Sequence, residues 1–397
     1  MRRGLMRLSI AALIAVGLAA PNFASNVPMA FAEETTVQQN LPHVVILATG
    51  GTIASTAASN TDTSNYQVTN GVDTLINAVP EMKEIAQISG EQVINVGSTN
   101  VSDEDRLSLA KRINVLLAQD DVDGIVVTHG TETLEQTAYF LNLVVKSDKP
   151  VVVVGSMRPA SSISADGPMN LYNAVKVAGD SKSKGKGVLI VLNDRIGAAR
   201  FISKVSNWST ETFKSLEQGF LGDVVAGKVN FYQQPVLKHT TQTDFDISEL
   251  TALPKVDILY ASYGNSDTSL VQSSLDAGAQ GLVIAGAGTT QFTNALSALG
   301  AKGLSDAEQN QIEYLTKSIK AGGADAGWAK EELKRMGATR GAVIASSFWQ
   351  ASGQALYARD NQVETNSLPP LKARILLQLA LTKTTDPEKI QQYFDEY

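Results

Sequence analysis

His43-Val44-Val45-Ile46-Leu47-Ala48-Thr49-Gly50-Gly51-Thr52-Ile53-Ala54 is an apolar run that ends in two glycines and a threonine. A second stretch is built alike: Gly124-Ile125-Val126-Val127 leads into Thr128-His129-Gly130-Thr131-Glu132-Thr133. Near-continuous Val and Ile marks a strand buried on both faces of a parallel sheet. Each stretch therefore predicts a strand whose carboxyl end carries hydroxyls and bare backbone, which is where open α/β sheets bind ligands. Two threonines on two such loops can face one another across one crevice.

Working outward, strands are predicted over 92–96, 150–154 and 187–192, with helix signals between them. Ser102-x-x-Asp105 forms a capping box ahead of Leu107, Leu109, Ile113 and Leu116. Pro168 stands where a first-turn proline is tolerated, before Leu171 and Val175. From about 233 to 254 the pattern lapses into Thr, Gln, Asp and Ser, an interdomain connection. A second alternation follows, with strands over 256–260, 281–285 and 341–346. Ser305-x-x-Glu308 opens a helix carrying Ile312, Leu315 and Ile319, and another helix spans 328–336. The segment 370–381 is a helix apolar on most faces, and Asp386-Pro387 starts a last helix reaching Phe394. The expected fold class is α/β: a larger N-terminal parallel-sheet domain (41–235), a connection (236–255) and a smaller C-terminal α/β domain (256–397).

Composition narrows the function. Arg2, Arg3 and Arg7, a short apolar run over 8–20 and Ala30-Phe31-Ala32 have the form of a secretory signal peptide cleaved near Ala32. The expected destination is a periplasm or the cell exterior. The leader holds three arginines and no acid, so the net charge of −7 becomes −10 in the mature chain. That balance disfavours nucleic acid and anionic membranes as partners and points to a small-molecule site. With no cysteine, thiolate catalysis, disulfides and cysteine-ligated metals are excluded. No later apolar run approaches the roughly 18 residues of a membrane span. His43, His129 and His239 lack metal-ligand spacing.

The motif residues leave alternatives open. Thr52, after Gly51, sits where backbone N–H groups can hold an oxyanion and a hydroxyl can attack a carbonyl. A tight turn or a dinucleotide loop is the alternative, although the full G-x-G-x-x-G is absent. Thr131 beside Glu132, after Gly130, suits substrate binding. It suits a helix start equally, with Thr131 or Thr133 capping and Glu132 facing the helix dipole. Ser98, after Gly97, ends another strand and can cap or bind. Lys204 reads as a solvated lysine, or as a base if desolvated beside Thr131.

Taken with these motifs, Ser64-Asn65-Tyr66, Gly90-Glu91-Gln92-Val93, Glu135-x-x-Ala138-Tyr139-Phe140-Leu141, Lys149-Pro150-Val151-Val152, Met157-Arg158-Pro159, Ser164-Ala165-Asp166-Gly167-Pro168, Asn170-Leu171-Tyr172-Asn173-Ala174-Val175 and Lys372-Ala373-Arg374 recur at family spacing. From about residue 41 to the end, the chain resembles the secreted, type II branch of the bacterial asparaginase/glutaminase family. The resemblance implies hydrolysis of L-asparagine to L-aspartate and ammonia, with some L-glutamine turnover and no metal or organic cofactor. It implies Thr52 as the nucleophile that forms an acyl-enzyme, Tyr66 on a flexible lid orienting it, and Thr131, Lys204 and Glu132 as a second, rigid triad. Ser98 corresponds to the residue holding the substrate α-carboxylate, with the triad acid on the α-amino group and Gly51, Gly97 and Gly130 lining the pocket. It also implies a homotetramer, a dimer of intimate dimers, with each site between one subunit's N-terminal domain and its neighbour's C-terminal domain.

Three positions depart from the family pattern around one amino-acid head group. Glu132 stands in place of an aspartate, Thr99 in place of a glutamine, and Gln291 in place of the neighbouring subunit's asparagine. Together they suggest a recut pocket. The stretch 303–339 is longer than the family's connection, read here as a surface helix, and Glu364 is the candidate for the partner-subunit acid. Two rival readings remain. One is a broader glutaminase-asparaginase. The other is a weakly active amino-acid-binding homologue, which has no need to keep Thr52, Tyr66, Thr131 and Lys204 together.

Overall fold

The computed structural model describes residues 41–260, 269–286, 314, 343–348 and 362–397. The expected leader, the helices expected between 305 and 336, and Gln291 lie outside the described residues.

The quoted stretch forms β1 (His43–Gly50), and the second forms β5 (Gly124–Thr128). Between them come the short strands β2 (Ser55–Ala57) and β3 (Tyr66–Val68), helix α1 (Val72–Asn77), β4 (Gln87–Val96) and α2 (Asp103–Leu117). After β5 follow α3 (Leu134–Val144), β6 (Val151–Val154), α4 (Gly167–Gly179), β7 (Val188–Leu192) and β8 (Arg195–Ala198). Next come the two-residue strands β9 (Ser203–Lys204) and β10 (Phe213–Lys214), then β11 (Gly222–Val225) and β12 (Lys228–Phe231). One eight-stranded sheet takes the order β12-β11-β8-β7-β6-β5-β1-β4. Its strands from β4 to β7 are parallel. β7 to β12 turn back antiparallel through two-residue hairpins, Asn193-Asp194 and Ala226-Gly227. All four hairpin residues have positive φ, the signature of the type I′ turn that matches strand twist.

The sheet separates two cores, which is why its central strands read as unbroken Val and Ile. Val45, Leu47, Ile125, Val127, Val151 and Val153 face α2 and α3, while Val44, Ile46, Val126, Val152 and Val154 face α1 and α4. The Ser102 capping box forms as expected: its hydroxyl accepts the Asp105 N–H, and the Asp105 carboxylate accepts the Ser102 N–H. The capping expectation for Thr133 is corrected. It occupies the N-cap of α3 without a side-chain cap, because its hydroxyl donates to the Ser98 carbonyl at 2.8 Å.

A second, four-stranded parallel sheet has the order β13 (Val256–Tyr260), β14 (Gly281–Gly286), β15 (Val343–Phe348) and β16 (Gln362–Glu364). β15 lies two residues later than the sequence predicts. Helix α5 (Ser269–Asp276) links the first two strands, and α6 (Pro370–Leu381) and α7 (Pro387–Glu396) close the chain. Leu376, Leu377 and Leu379 of α6 join the same core as Tyr139, Phe140 and Leu143 of α3. Every residue of α3 is thereby buried, between the large sheet and α6. The expected connection carries no strand but is docked: Lys146 Nζ donates to the Thr243 carbonyl at 2.7 Å, and Phe245 packs edge-on against Tyr397. Among the described residues no helix is long and apolar enough to cross a membrane.

Candidate active site

The strand order carries a switch. The chain passes from β1 out to the edge strand β4, then back across β1 to β5 on its other side, and continues to β6 and β7. The crevice at such a reversal, beyond the carboxyl ends of the strands, is the natural ligand site of an open sheet. The loops after β1, β4 and β5 meet there. Gly51 has φ +82°, and a Cβ on it would stand 2.3 Å from both Cα and N of Gly130. A Cβ on Gly130 would stand 2.7 Å from Ser98 Oγ. Only glycine permits this approach, so the residues before Thr52 and Thr131 are in contact.

Thr52 opens a single 3-10 turn after Gly51 and is 7% exposed. Its Oγ1 lies 3.0 Å from the Tyr66 hydroxyl, presented by the β2–β3 hairpin, and Tyr66 itself is 37% exposed. Lys204, on β9, donates from Nζ to Thr131 Oγ1 at 3.0 Å. Burial lowers the proton affinity of Lys204, an effect that the charges of Glu132 and Glu135 partly oppose. The solvated reading of Lys204 is thus corrected: the lysine is half-buried. Glu132 is exposed and acts on Lys204 through its charge.

Ser98 is 3% exposed, and its Oγ is among the buried polar atoms without a protein partner. A buried hydroxyl left unpaired is costly unless something binds it. Gly97 opens onto free space, with no atom near the position a Cβ would take. Thr99 is exposed beside it. Glu364 ends β16 in the smaller sheet, where its backbone N–H donates to Gln391 Oε1 at 2.7 Å. Among the described residues no group of His, Cys, Asp and Glu is arranged to hold a metal.

Sequence reasoning assigned no role to His129, yet its ring is fully buried beneath the loop. Nδ1 lies 2.8 Å from the Gly130 carbonyl, and Nε2 lies 3.0 Å from Thr137 Oγ1. A carbonyl only accepts, so Nδ1 carries the proton and Nε2 accepts from Thr137. Thr137 Oγ1 in turn accepts from Arg106 Nε at 3.3 Å, and Arg106 is paired with Asp103 at 2.7 Å. Asp103 also receives Arg374 and Gln378 of α6, each at 2.8 Å. Burial, with Arg106 nearby, pushes His129 down to about 4 despite its bond to Gly130. The neutral imidazole is a strut, and its signal in the sequence was a lone histidine inside an otherwise apolar and hydroxylic run.

Known proteins resemble this chain along both of its domains. A family profile described as "Asparaginase, N-terminal" matches residues 43–237, and one described as "Glutaminase/Asparaginase C-terminal domain" matches 255–394. L-asparaginase 2 of Bacillus subtilis (strain 168) is 51% identical over 361 residues, covering 91% of this chain and 88% of the relative. A glutaminase-asparaginase of Pseudomonas fluorescens biotype A is 41% identical over 373 residues, covering 92% and 93% respectively. The crystal structure of a probable cytoplasmic L-asparaginase from Campylobacter jejuni superposes with a TM-score of 0.77 at 40% identity, covering 90% of this chain and all of that one. Matched along both of its domains, and with Thr52–Tyr66 and Thr131–Lys204 paired at one sheet switch, the chain belongs to the asparaginase/glutaminase family.

Proposed function

We propose that the protein hydrolyses the side-chain amide of L-asparagine through a Thr52 acyl-enzyme, with L-glutamine as a slower substrate. The observation that supports this most is the pairing of Thr52 with Tyr66 and of Thr131 with Lys204 on loops that touch through Gly51 and Gly130. In the first half-reaction, Thr52 Oγ1 bonds to the amide carbon and the C–N bond breaks. The Thr52 proton ends on the departing nitrogen, which leaves as ammonia. In the second, water adds to the ester, the bond to Oγ1 breaks, and a proton returns to Thr52. A threonine hydroxyl needs a base. Lys204 fits that task, because burial lowers the proton affinity of its amine and Thr131 links it to the crevice. Tyr66 orients Oγ1, and the unpaired Ser98 hydroxyl receives the α-carboxylate. Glu132 takes the α-amino group, with Thr99 lining the pocket and Gln291 and Glu364 contributed by a neighbouring subunit.

The same reading carries the assembly and the location. The hairpin that bears Lys204 leaves Val205, Trp208 and Leu216 exposed on the protomer, Trp208 by 79%. Large apolar groups held out in this way suit burial against a second copy, which supports the homotetramer of dimers that the resemblance implies. The arginine-led apolar leader directs export, with cleavage near Ala32.

Ammonia release from L-asparagine and L-glutamine tests the function. L-Asparagine is turned over well above L-glutamine, and Thr52→Ala lowers kcat by about 10^3-fold or more, as loss of a nucleophile does. Comparable rates on both amides would move the protein to the broader glutaminase-asparaginase class, which the Thr99 and Gln291 departures keep open. No turnover of either by the folded oligomer would leave an amino-acid-binding protein.

A further inference from the structure

Two charged side chains that the reaction leaves unused stand together behind Lys204. Glu135 lies on α3 and Lys372 on α6, and neither is more than 5% exposed. Lys372 Nζ donates to the carbonyl of Arg200 at 2.9 Å and to that of Ile202 at 2.5 Å, and lies 3.7 Å from Glu135 Oε2. The other oxygen, Glu135 Oε1, accepts the backbone N–H of Lys204 at 3.3 Å. Two carbonyls accept hydrogen bonds from this ammonium, and the Glu135 carboxylate stands beside it at ion-pair distance.

Stability alone is a poor reason for such a pair, since well-packed apolar residues commonly replace a buried ion pair at no loss. Burial pushes Lys372 down to about 8, with Glu135 opposing and Arg200 adding to the fall. The geometry does have one common target. All three partners of Lys372, two carbonyls and one carboxylate, lead to the short segment 200–204, which ends in the lysine that bonds Thr131.

We propose that Lys372 and Glu135 are positioning residues for Lys204. The α6 ammonium clamps the carbonyls of Arg200 and Ile202 and fixes Glu135, which holds the Lys204 backbone so that its amine reaches Thr131. The pair has an electrostatic side as well. Glu135 favours the protonated form of Lys204, and the charge of Lys372 offsets that carboxylate. The C-terminal unit of a chain thereby sets the base of its own N-terminal site. The inference rests on the reading of Lys204 as the base.

The test measures kcat and KM for L-asparagine with the full chain, its Lys372→Met variant, the Lys372→Met/Glu135→Gln double variant and a Lys204→Met control. Light scattering and thermal melting establish that each is folded. Lys372→Met lowers kcat by about 30-fold with KM within about twofold, on the scale of a catalytic group misplaced by a fraction of an ångström. Adding Glu135→Gln removes the stranded carboxylate while keeping an acceptor for Lys204, and recovers kcat by about fivefold or more. Unchanged kcat in Lys372→Met, or a double variant no faster than the single, overturns the proposal. If Lys372→Met does not fold, Glu135→Gln alone decides. Loss of its charge lowers the proton affinity of Lys204, so the acid limb of the kcat–pH profile moves to lower pH. An unmoved limb overturns the proposal. An active Lys204→Met control would sink the underlying reading instead, whereas an inactive control beside a fully active Lys372→Met sinks this inference alone.

Discussion

Thr52 and Thr131 carry the same hydroxyl, and their surroundings divide the work between them. Thr52 meets a half-exposed tyrosine on a hairpin, whereas Thr131 meets a half-buried lysine on a strand. Glu132 beside them is longer than the family's aspartate by one methylene, over an ångström of reach. Its carboxylate is exposed, and on the proposed role of Glu132 at the substrate's α-ammonium, shortening the acid withdraws it. Glu132→Asp is therefore expected to raise KM for L-asparagine about tenfold, roughly 1.4 kcal/mol of lost binding, and to change the asparagine-to-glutamine ratio. Steady-state kinetics on both amides check this. An unchanged KM and ratio would mean that the pocket is not recut around Glu132.

Among the elements, the loop between β5 and α3 depends most on what lies beneath it. The His129 ring bonds Gly130 above and Thr137 of α3 below, and through Arg106 and Asp103 it reaches α2 and α6. The imidazole is neutral in the folded chain down to about pH 4, whereas an unfolded histidine takes its proton near 6.5. The folded affinity is the lower one, so between these values the unfolded state binds more protons. Stability is then fully present above about 6.5 and falls as pH drops toward about 4, by up to roughly 3 kcal/mol from this one group. Denaturant midpoints at pH 7 and pH 4.5 measure it. The wild-type chain is expected to lose more between the two than His129→Gln, which bonds the same neighbours without titrating.

At the scale of the whole molecule, the crevice is open where Gly97 faces free space, and the Lys204 hairpin displays Val205, Trp208 and Leu216. On the proposed assembly, the site is completed by a neighbouring subunit and works only there. Specific activity is expected to fall on dilution in step with the dimer fraction, as mass action requires. Rates measured across a dilution series beside light scattering would show it, and activity that persists in the monomer would refute the shared site.

Short-range pattern was enough for the elements. The valine and isoleucine runs of β5, β6 and β7, the Ser102–Asp105 box and the limits of α6 follow from strand burial, cap chemistry and helical repeat, all settled within a few neighbours. The threonine loops were legible as glycine and hydroxyl groups at strand ends, but the pattern alone left turn and helix-start readings open, and their roles came from the resemblance. Matters that depend on distant parts of the chain could not be read. Thr133 looked like a helix cap until the loop after β4 supplied the Ser98 carbonyl. Lys204 taken alone read as a solvated lysine or as a base, and its burial came only with the folded chain. Glu135 and Lys372 are 237 positions apart in sequence, and each passes alone for a polar interruption in an apolar helix. Their pairing, and the protonation of His129, depend on burial and charge, and both are properties of the packed chain.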